Sequence, residues 1–349
     1  MPNLDFSHIQ TGFQSLFSRT IQTLDSHTAG EPTRLVIGGL PAIPGSSMAE
    51  KRLFFQEHLD DIRRLLNQEP RGNADLLTAV LTQPVSPDCA FGLIYMDAKR
   101  YPYLCGHATI GAVANLLETG VLAADSREIT VKVDTPSGVM PTTARINPDG
   151  MVESVSICTV PSFVYETGLD LQVPGRGVLK VDTVCVGGFF VMVDAAQLDL
   201  HLADIRPDSL AELGMQIIEE ANTQLQVAHP ERAEVNTIDV VEFYEHQLRS
   251  PLQGRSLVVY GEAHVDRSPC GTGTAAKVTL FHHQGTLRSE DVYSNQGPAG
   301  TTFQARITKE TRIGDRPGVV VEITGSAHIT GYHQFVLDPS DPFPNGFLL

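Results

Sequence analysis

The sequence predicts an α+β protein of two similar domains, each with strands on both sides of one helix. Three observations lead there. A chain of 349 residues is long for a single hydrophobic core. A short motif, Cys-Gly-x-small-Thr, occurs twice, as Cys105-Gly106-His107-Ala108-Thr109 and as Cys270-Gly271-Thr272-Gly273-Thr274. Each copy follows a short apolar run and opens a helix-like stretch, Ile110 to Glu118 and Ala275 to His283, with strand-like segments before and after. Strands, a cysteine turn, one helix and more strands in duplicate argue against a parallel βαβ series. The division is expected near residue 135, between an N-terminal domain carrying Cys105 (1–135) and a C-terminal domain carrying Cys270 (136–333).

Residues 1–20 carry scattered apolar positions and read as an arm. From Ile21 a strand runs into the polar, turn-rich Asp25 to Arg34, followed by Leu35-Val36-Ile37 and a Gly/Pro loop. The density of ionisable groups there suits the edge of a pocket, although His27 alone reads as an ordinary hydrogen-bonded histidine. Pro44-Gly45-Ser46-Ser47 caps a helix on which Phe55, Leu59, Ile62 and Leu66 share one face. It ends before Pro70-Arg71-Gly72-Asn73, and Leu76 to Leu81 and Ala90 to Met96 are buried strands. The helix after Cys105 stops at Gly120. Ile129 to Val133 alternates, Pro136-Ser137-Gly138 turns, and Asn147 to Gly150 is a hairpin loop. Val181 to Val193 is a pair of apolar runs about Gly187-Gly188, and Asp208 to Leu225 is a helix. Thr237 to Phe243 and Ser256 to Tyr260 are strands leading to the second motif. Beyond its helix come short strands, Thr302 to Ile307, Gly318 to Ile323 and Ser326 to His333, then a tail rich in Pro and Asp.

With 42% hydrophobic and 19% charged residues and a mean hydropathy of −0.05, the composition is that of an ordinary globular protein. No apolar run reaches the length of a membrane-spanning helix, and Met1 to Asp5 lacks the layout of a secretion signal, so the expected compartment is the cytoplasm. A net charge of −16 disfavours nucleic acid and anionic membrane as partners. The five cysteines are odd in number and irregularly spaced, and read as free thiols rather than zinc ligands. Cys89, Cys158 and Cys185 fit small buried hydrophobes. No metal site is evident.

The chemistry concentrates in the repeat. Gly271-Thr272-Gly273-Thr274 lacks the lysine of a triphosphate loop and the full GxGxxG of a dinucleotide site, and there is no GxSxG or HExxH. A cysteine at a helix N-terminus meets unpaired N–H groups and a partial positive charge, which favour the thiolate and can hold an anion. One such Cys-Gly pair is more often structural. Two, each flanked by small residues, make Cys105 and Cys270 candidates for a facing acid and base. His107 and Asp266 read equally as solvated turn residues or site residues, and His282-His283 as complements to a helix C-terminus.

Together, Cys105-Gly106-His107, the string Asp266-Arg267-Ser268-Pro269-Cys270-Gly271-Thr272-Gly273-Thr274, Gly30-Glu31-Pro32, Pro70-Arg71-Gly72, Gly187-Gly188-Phe189 and the closing Asp338 to Phe343 resemble the proline racemase family. That family includes proline racemases, 4-hydroxyproline 2-epimerases and trans-3-hydroxyproline dehydratases. The resemblance runs from about Ile21 to the C-terminus. It implies the diaminopimelate epimerase-like fold, two pseudo-symmetric domains with strands around a central helix, the site in the cleft between them and the tail 334–349 returning to the first domain. It implies no cofactor and a small cyclic amino acid as partner; a homodimer is compatible with it. Carried over residue by residue, Cys105 and Cys270 are the two bases, and the amides of Gly106, His107, Gly271 and Thr272 meet the carboxylate. Asp266 and the His107 side chain hold the ring nitrogen, and Tyr260 lines the pocket. Both cysteines being present favours a racemase or epimerase over a dehydratase, in which one is usually Ser or Thr, and over a silent binding protein. Asn73 stands where many relatives carry His, which leaves proline against hydroxyproline open.

Overall fold

Apolar alternation and turn residues build the described residues into seventeen strands of one mixed sheet. The computed structural model describes residues 17, 19–247 and 252–348, and most of the expected arm lies outside them. The elements begin with β1 (Arg19–Thr28), β2 (Glu31–Gly38), α1 (Met48–His58), α2 (Asp60–Asn67), β3 (Leu77–Thr82), β4 (Phe91–Met96), α3 (Gly106–Glu118), β5 (Glu128–Thr135), β6 (Gly138–Ile146) and β7 (Val152–Cys158). They continue with β8 (Ser162–Val173), β9 (Gly177–Val186), β10 (Gly188–Asp194), α4 (Ala211–Gln224), β11 (Ile238–Gln247), β12 (Gln253–Tyr260) and β13 (His264–Val265). The last are α5 (Gly271–His283), β14 (Val292–Gln296), β15 (Thr302–Ile313), β16 (Arg316–Gly325) and β17 (Ala327–Leu337).

The sheet curls into two rings of strands. In the first, β17-β1-β2-β3-β4-β5-β6-β7 pair in that order, with β2–β3 and β4–β5 parallel and the rest antiparallel. In the second, β8-β9-β10-β11-β12-β14-β15-β16 pair in order, with β10–β11 and β12–β14 parallel. The two sequences of pairings are the same. β16 also pairs with β8, which closes the second ring, and with β7, which joins the two. The ladder carries the first ring past residue 135, the expected division, to Cys158.

Parallel neighbours need a crossover, and the helices supply it at matching places. α1 and α2 join β2 to β3 as α4 joins β10 to β11, while α3 joins β4 to β5 as α5 leads from β13 to β14. α3 is buried from Gly106 to Leu117, and α5 is buried over most of its length, as helices without a charged face must be. α3 packs on β1, β2, β7 and β17, and α5 on β8, β9, β15 and β16, so each lies inside its own ring.

Two readings of the sequence need correcting. The helix expected through Phe55 and Leu66 is broken at Leu59, which leaves the helical region at φ −131° and ψ 20°; Asp60 and Asp61 then open α2, where their charge suits a helix start. Its four apolar residues are nevertheless buried together against Val80 and Ile94. β8 had no counterpart in the reading, because register shifts on either side of Glu166 and a positive φ at Gly168 break its alternation. The tail lies on the first ring: Arg71 pairs with Asp341, and Phe347 bridges Glu69.

Candidate active site

The interior helices meet end to end. A Cβ built on Gly106 would lie 3.8 Å from Cα of Gly271, and the converse distance is also 3.8 Å. Cys105 is the N-cap of α3 and Cys270 the N-cap of α5, so both thiols stand where the two helix N-termini converge. A cavity of about 520 Å³ opens there, and it is lined by all eight residues singled out from the sequence: Cys105, Gly106, His107, Tyr260, Asp266, Cys270, Gly271 and Thr272. Leu104, Val186, Phe190 and Val258 give it apolar walls, and Arg52, Lys99 and Arg100 line it together with Glu234 and Asp239. Asn73 is not among its lining residues; the 70–77 loop reaches it through Leu77.

The two thiols sit in unlike surroundings. Cys105 Sγ is 3.4 Å from Nδ1 of His107, while Cys270 Sγ accepts from the Gly273 amide at 3.3 Å and lies 3.6 Å from the Thr272 hydroxyl. Cys270 has φ +57°, a conformation that non-glycine residues rarely adopt and that recurs at functional sites. The glycines behind it are structural: a Cβ on Gly273 would lie 2.8 Å from the buried Glu242, and one on Gly297 would lie 2.3 Å from the Ser268 carbonyl carbon.

Burial, then the carboxylate of Asp266, push the Cys270 thiol well up. Burial also pushes the Cys105 thiol up, with Asp266 and Glu31 adding to it against the helix N–H groups. The helix termini therefore do not by themselves bring the thiols to neutral pH. Burial lowers His107 to about 4 despite Asp266, leaving a neutral imidazole that accepts hydrogen bonds. Asp266 is 2% exposed, and its Oδ1 accepts from the Ser268 amide at 2.8 Å and hydroxyl at 2.7 Å. The same hydroxyl accepts from the Cys270 amide at 3.0 Å, tying the carboxylate to the thiol. Burial and the nearby Glu31 raise Asp266.

Behind Asp266 lies a cluster that sequence reasoning missed: Glu31, Asp75, His264 and Arg267. His264 Nε2 is 2.9 Å from Glu31, and its Nδ1 makes an ion-pair contact of 3.1 Å with Asp75. Burial alone would lower His264, but Asp75 and then Glu31 lift it to about 9. A histidine raised in the folded state stabilises fully below its unfolded value, near 6.5, and that stability is lost as pH rises through about 9. Stability is accordingly expected to decline over pH 6.5–9 by on the order of 3 kcal/mol from this residue, and urea midpoints of His264→Gln should lack that decline.

A family model described as proline racemase matches residues 23–348. A curated protein named proline racemase, from Clostridioides difficile, is 41% identical over 333 residues, covering 95% of this chain and 99% of its own. One named trans-3-hydroxy-L-proline dehydratase, from Burkholderia cenocepacia, is 34% identical over 333 residues, with the same coverage of 95% and 99%. Among solved structures, a hydroxyproline epimerase from Agrobacterium vitis with bound trans-4-hydroxy-L-proline superposes with TM-score 0.88 at 29% identity, covering 96% of this chain and 97% of that one.

Proposed function

The chain belongs to the proline racemase family, and on that premise we propose that it is a cofactor-independent racemase or epimerase inverting Cα of proline or 4-hydroxyproline. The observation that carries this reading is the pair of cysteine N-caps at two converging helix termini on one cavity. In the same reading the two rings are the pseudo-symmetric domains of a diaminopimelate epimerase-like fold, and the repeated order of strand pairings supports it.

The α-proton of an amino acid is a very weak acid, so its removal needs a base, an acid on the opposite face and relief of the developing charge. One cysteine, as thiolate, takes the proton from Cα. The electron pair spreads into the carboxylate, and the thiol of the other cysteine delivers its proton to the opposite face, leaving the inverted amino acid and the roles of the thiols exchanged. The amides of Gly106, His107, Gly271 and Thr272, in the first turns of α3 and α5, are donors for the carboxylate. The secondary ammonium donates to Asp266 and to the neutral His107 ring, while Tyr260 and the apolar wall enclose the ring carbons. Neutralising Asp266 with the ammonium removes part of the push that holds both thiols protonated, so substrate binding itself favours the thiolate.

Incubation with L-proline or trans-4-hydroxy-L-proline in D2O should give the inverted isomer carrying deuterium at Cα. No inversion and no label with either substrate would sink the reading. A product that instead gives the imine colour with an amine-reactive reagent from trans-3-hydroxy-L-proline would favour dehydration, the activity named for the Burkholderia relative. Asp266→Asn should lower kcat/KM by about 10- to 100-fold through the lost charged hydrogen bond. The same variant should make both thiols react faster with iodoacetamide at a given pH, followed by mass spectrometry of the two cysteine peptides.

A further inference from the structure

Glu31 reaches from β2 in the first ring into the second, and its carboxylate is wholly buried. Oε2 accepts the Arg267 amide at 2.7 Å, and Oε1 meets His264 Nε2 at 2.9 Å. Asp75, in the loop before β3, grips the same two residues: Oδ2 accepts from the Arg267 guanidinium at 2.6 Å, and Oδ1 lies 3.1 Å from His264 Nδ1. Asp266 sits between them in the chain. The segment that presents the nitrogen-binding carboxylate is therefore held on both sides by acids of the opposite ring, while its own oxygen is held by Ser268.

We propose that Glu31 is a positioning residue for Asp266, a clasp by which the first ring fixes the 264–267 segment of the second in the geometry that receives the substrate's ring nitrogen. This deepens the proposed function and rests on Asp266 as the ammonium contact. Stability is a weak reason by itself for such a group, because replacing a buried ion pair by well-packed apolar residues of similar volume is often neutral. A carboxylate here supplies what an apolar side chain cannot: two acceptors at fixed angles, one for a backbone N–H and one for a ring N–H, on either side of the working residue. Because Glu31 lies close enough to Cys105 to push that thiol up, removing its charge has a signature separate from turnover.

The test compares wild type with Glu31→Gln, which keeps the size and one acceptor but loses the charge. The expected result is a fall in kcat/KM for the turned-over proline of about 10²-fold, as for a misplacement of roughly 1 Å, carried mainly by KM, with partial recovery in Glu31→Asp. Both thiols should become more reactive to iodoacetamide at pH 8, as Asp266 moves away, with Cys105, which also loses the charge of Glu31, gaining more, read by peptide mass spectrometry. A folded Glu31→Gln with a lowered melting temperature but wild-type kcat, KM and pH profile overturns the proposal, as does a gain confined to Cys105, which loss of the Glu31 charge alone would give. Should that variant not fold, His264→Gln carries the test through the same KM split, and an unchanged KM overturns the proposal. If wild type turns over neither proline nor 4-hydroxyproline, the proposed function fails first, and the alkylation of both cysteines still reports whether Glu31 holds Asp266 in place.

Discussion

Cys105→Ser and Cys270→Ser are each expected to abolish inversion while leaving a half-reaction visible. Serine preserves the shape of the N-cap but is far too weak an acid to exist as an alkoxide near neutral pH, so the base on one face is lost. A positioned acid or base contributes about 10²–10⁴-fold, and inversion needs one on each face, so turnover should fall by at least that factor. The remaining thiol, however, still faces one hydrogen of Cα. In D2O each variant should exchange the α-proton of one enantiomer without inverting it, and the two variants should choose opposite enantiomers. Proton NMR of L- and D-proline with each variant reads this directly. Inversion at the wild-type rate in both would remove the thiols from the reaction, and exchange of the same enantiomer by both would remove their opposition.

The largest effect on stability is expected beneath the second cysteine. Lys277 in α5 and Glu242 in β11 are both fully buried, with Lys277 Nζ 3.8 Å from Glu242 Oε1. The ammonium also donates to the Arg255 carbonyl at 2.9 Å, to the Ser256 hydroxyl at 2.7 Å and to Asn295 Oδ1 at 2.7 Å. Asn295 in turn donates to the Pro269 carbonyl at 3.1 Å, one residue before Cys270. Burial pulls Lys277 down to about 8 and pushes Glu242 up, so neither charge is comfortable without the other. Glu242→Ala strands the ammonium and should cost about 3–5 kcal/mol, measured as the shift of a urea unfolding curve. Replacing both together, as Glu242→Leu with Lys277→Met, should recover most of that loss. A double variant no more stable than Glu242→Ala would show that the pair is not what the single substitution disturbs.

Much of this was legible because the informative residues are close together in the chain. The Cys-Gly repeat marks the starts of α3 and α5 and so gives the two thiols, while the other cavity residues, Asp266 and Tyr260 among them, follow only from the family resemblance. Most strands were legible from alternation, and Ser47 marked the start of α1, where its side chain accepts the Glu50 amide. What was not legible depends on residues far apart. Glu31 meets His264 across 233 positions, and nothing in Gly30-Glu31-Pro32 says that this glutamate is buried or which cation awaits it. The register shifts of β8 likewise erase the period-two signal, and the break at Leu59 leaves the apolar spacing of α1 and α2 intact.

β16 and β17 are separated by Ser326 alone, and between them they serve both rings: β16 closes the second and β17 pairs with β1 in the first. During synthesis, the first half therefore emerges with β1 lacking one neighbour and must wait until β17 has been made before Arg19 can pair with Leu337. Contacts of such sequence separation fold slowly and leave strand edges open meanwhile. A nascent chain released before about residue 327 should accordingly be captured by chaperones or aggregate, and the seam that unites the two rings forms only once β17 has been made.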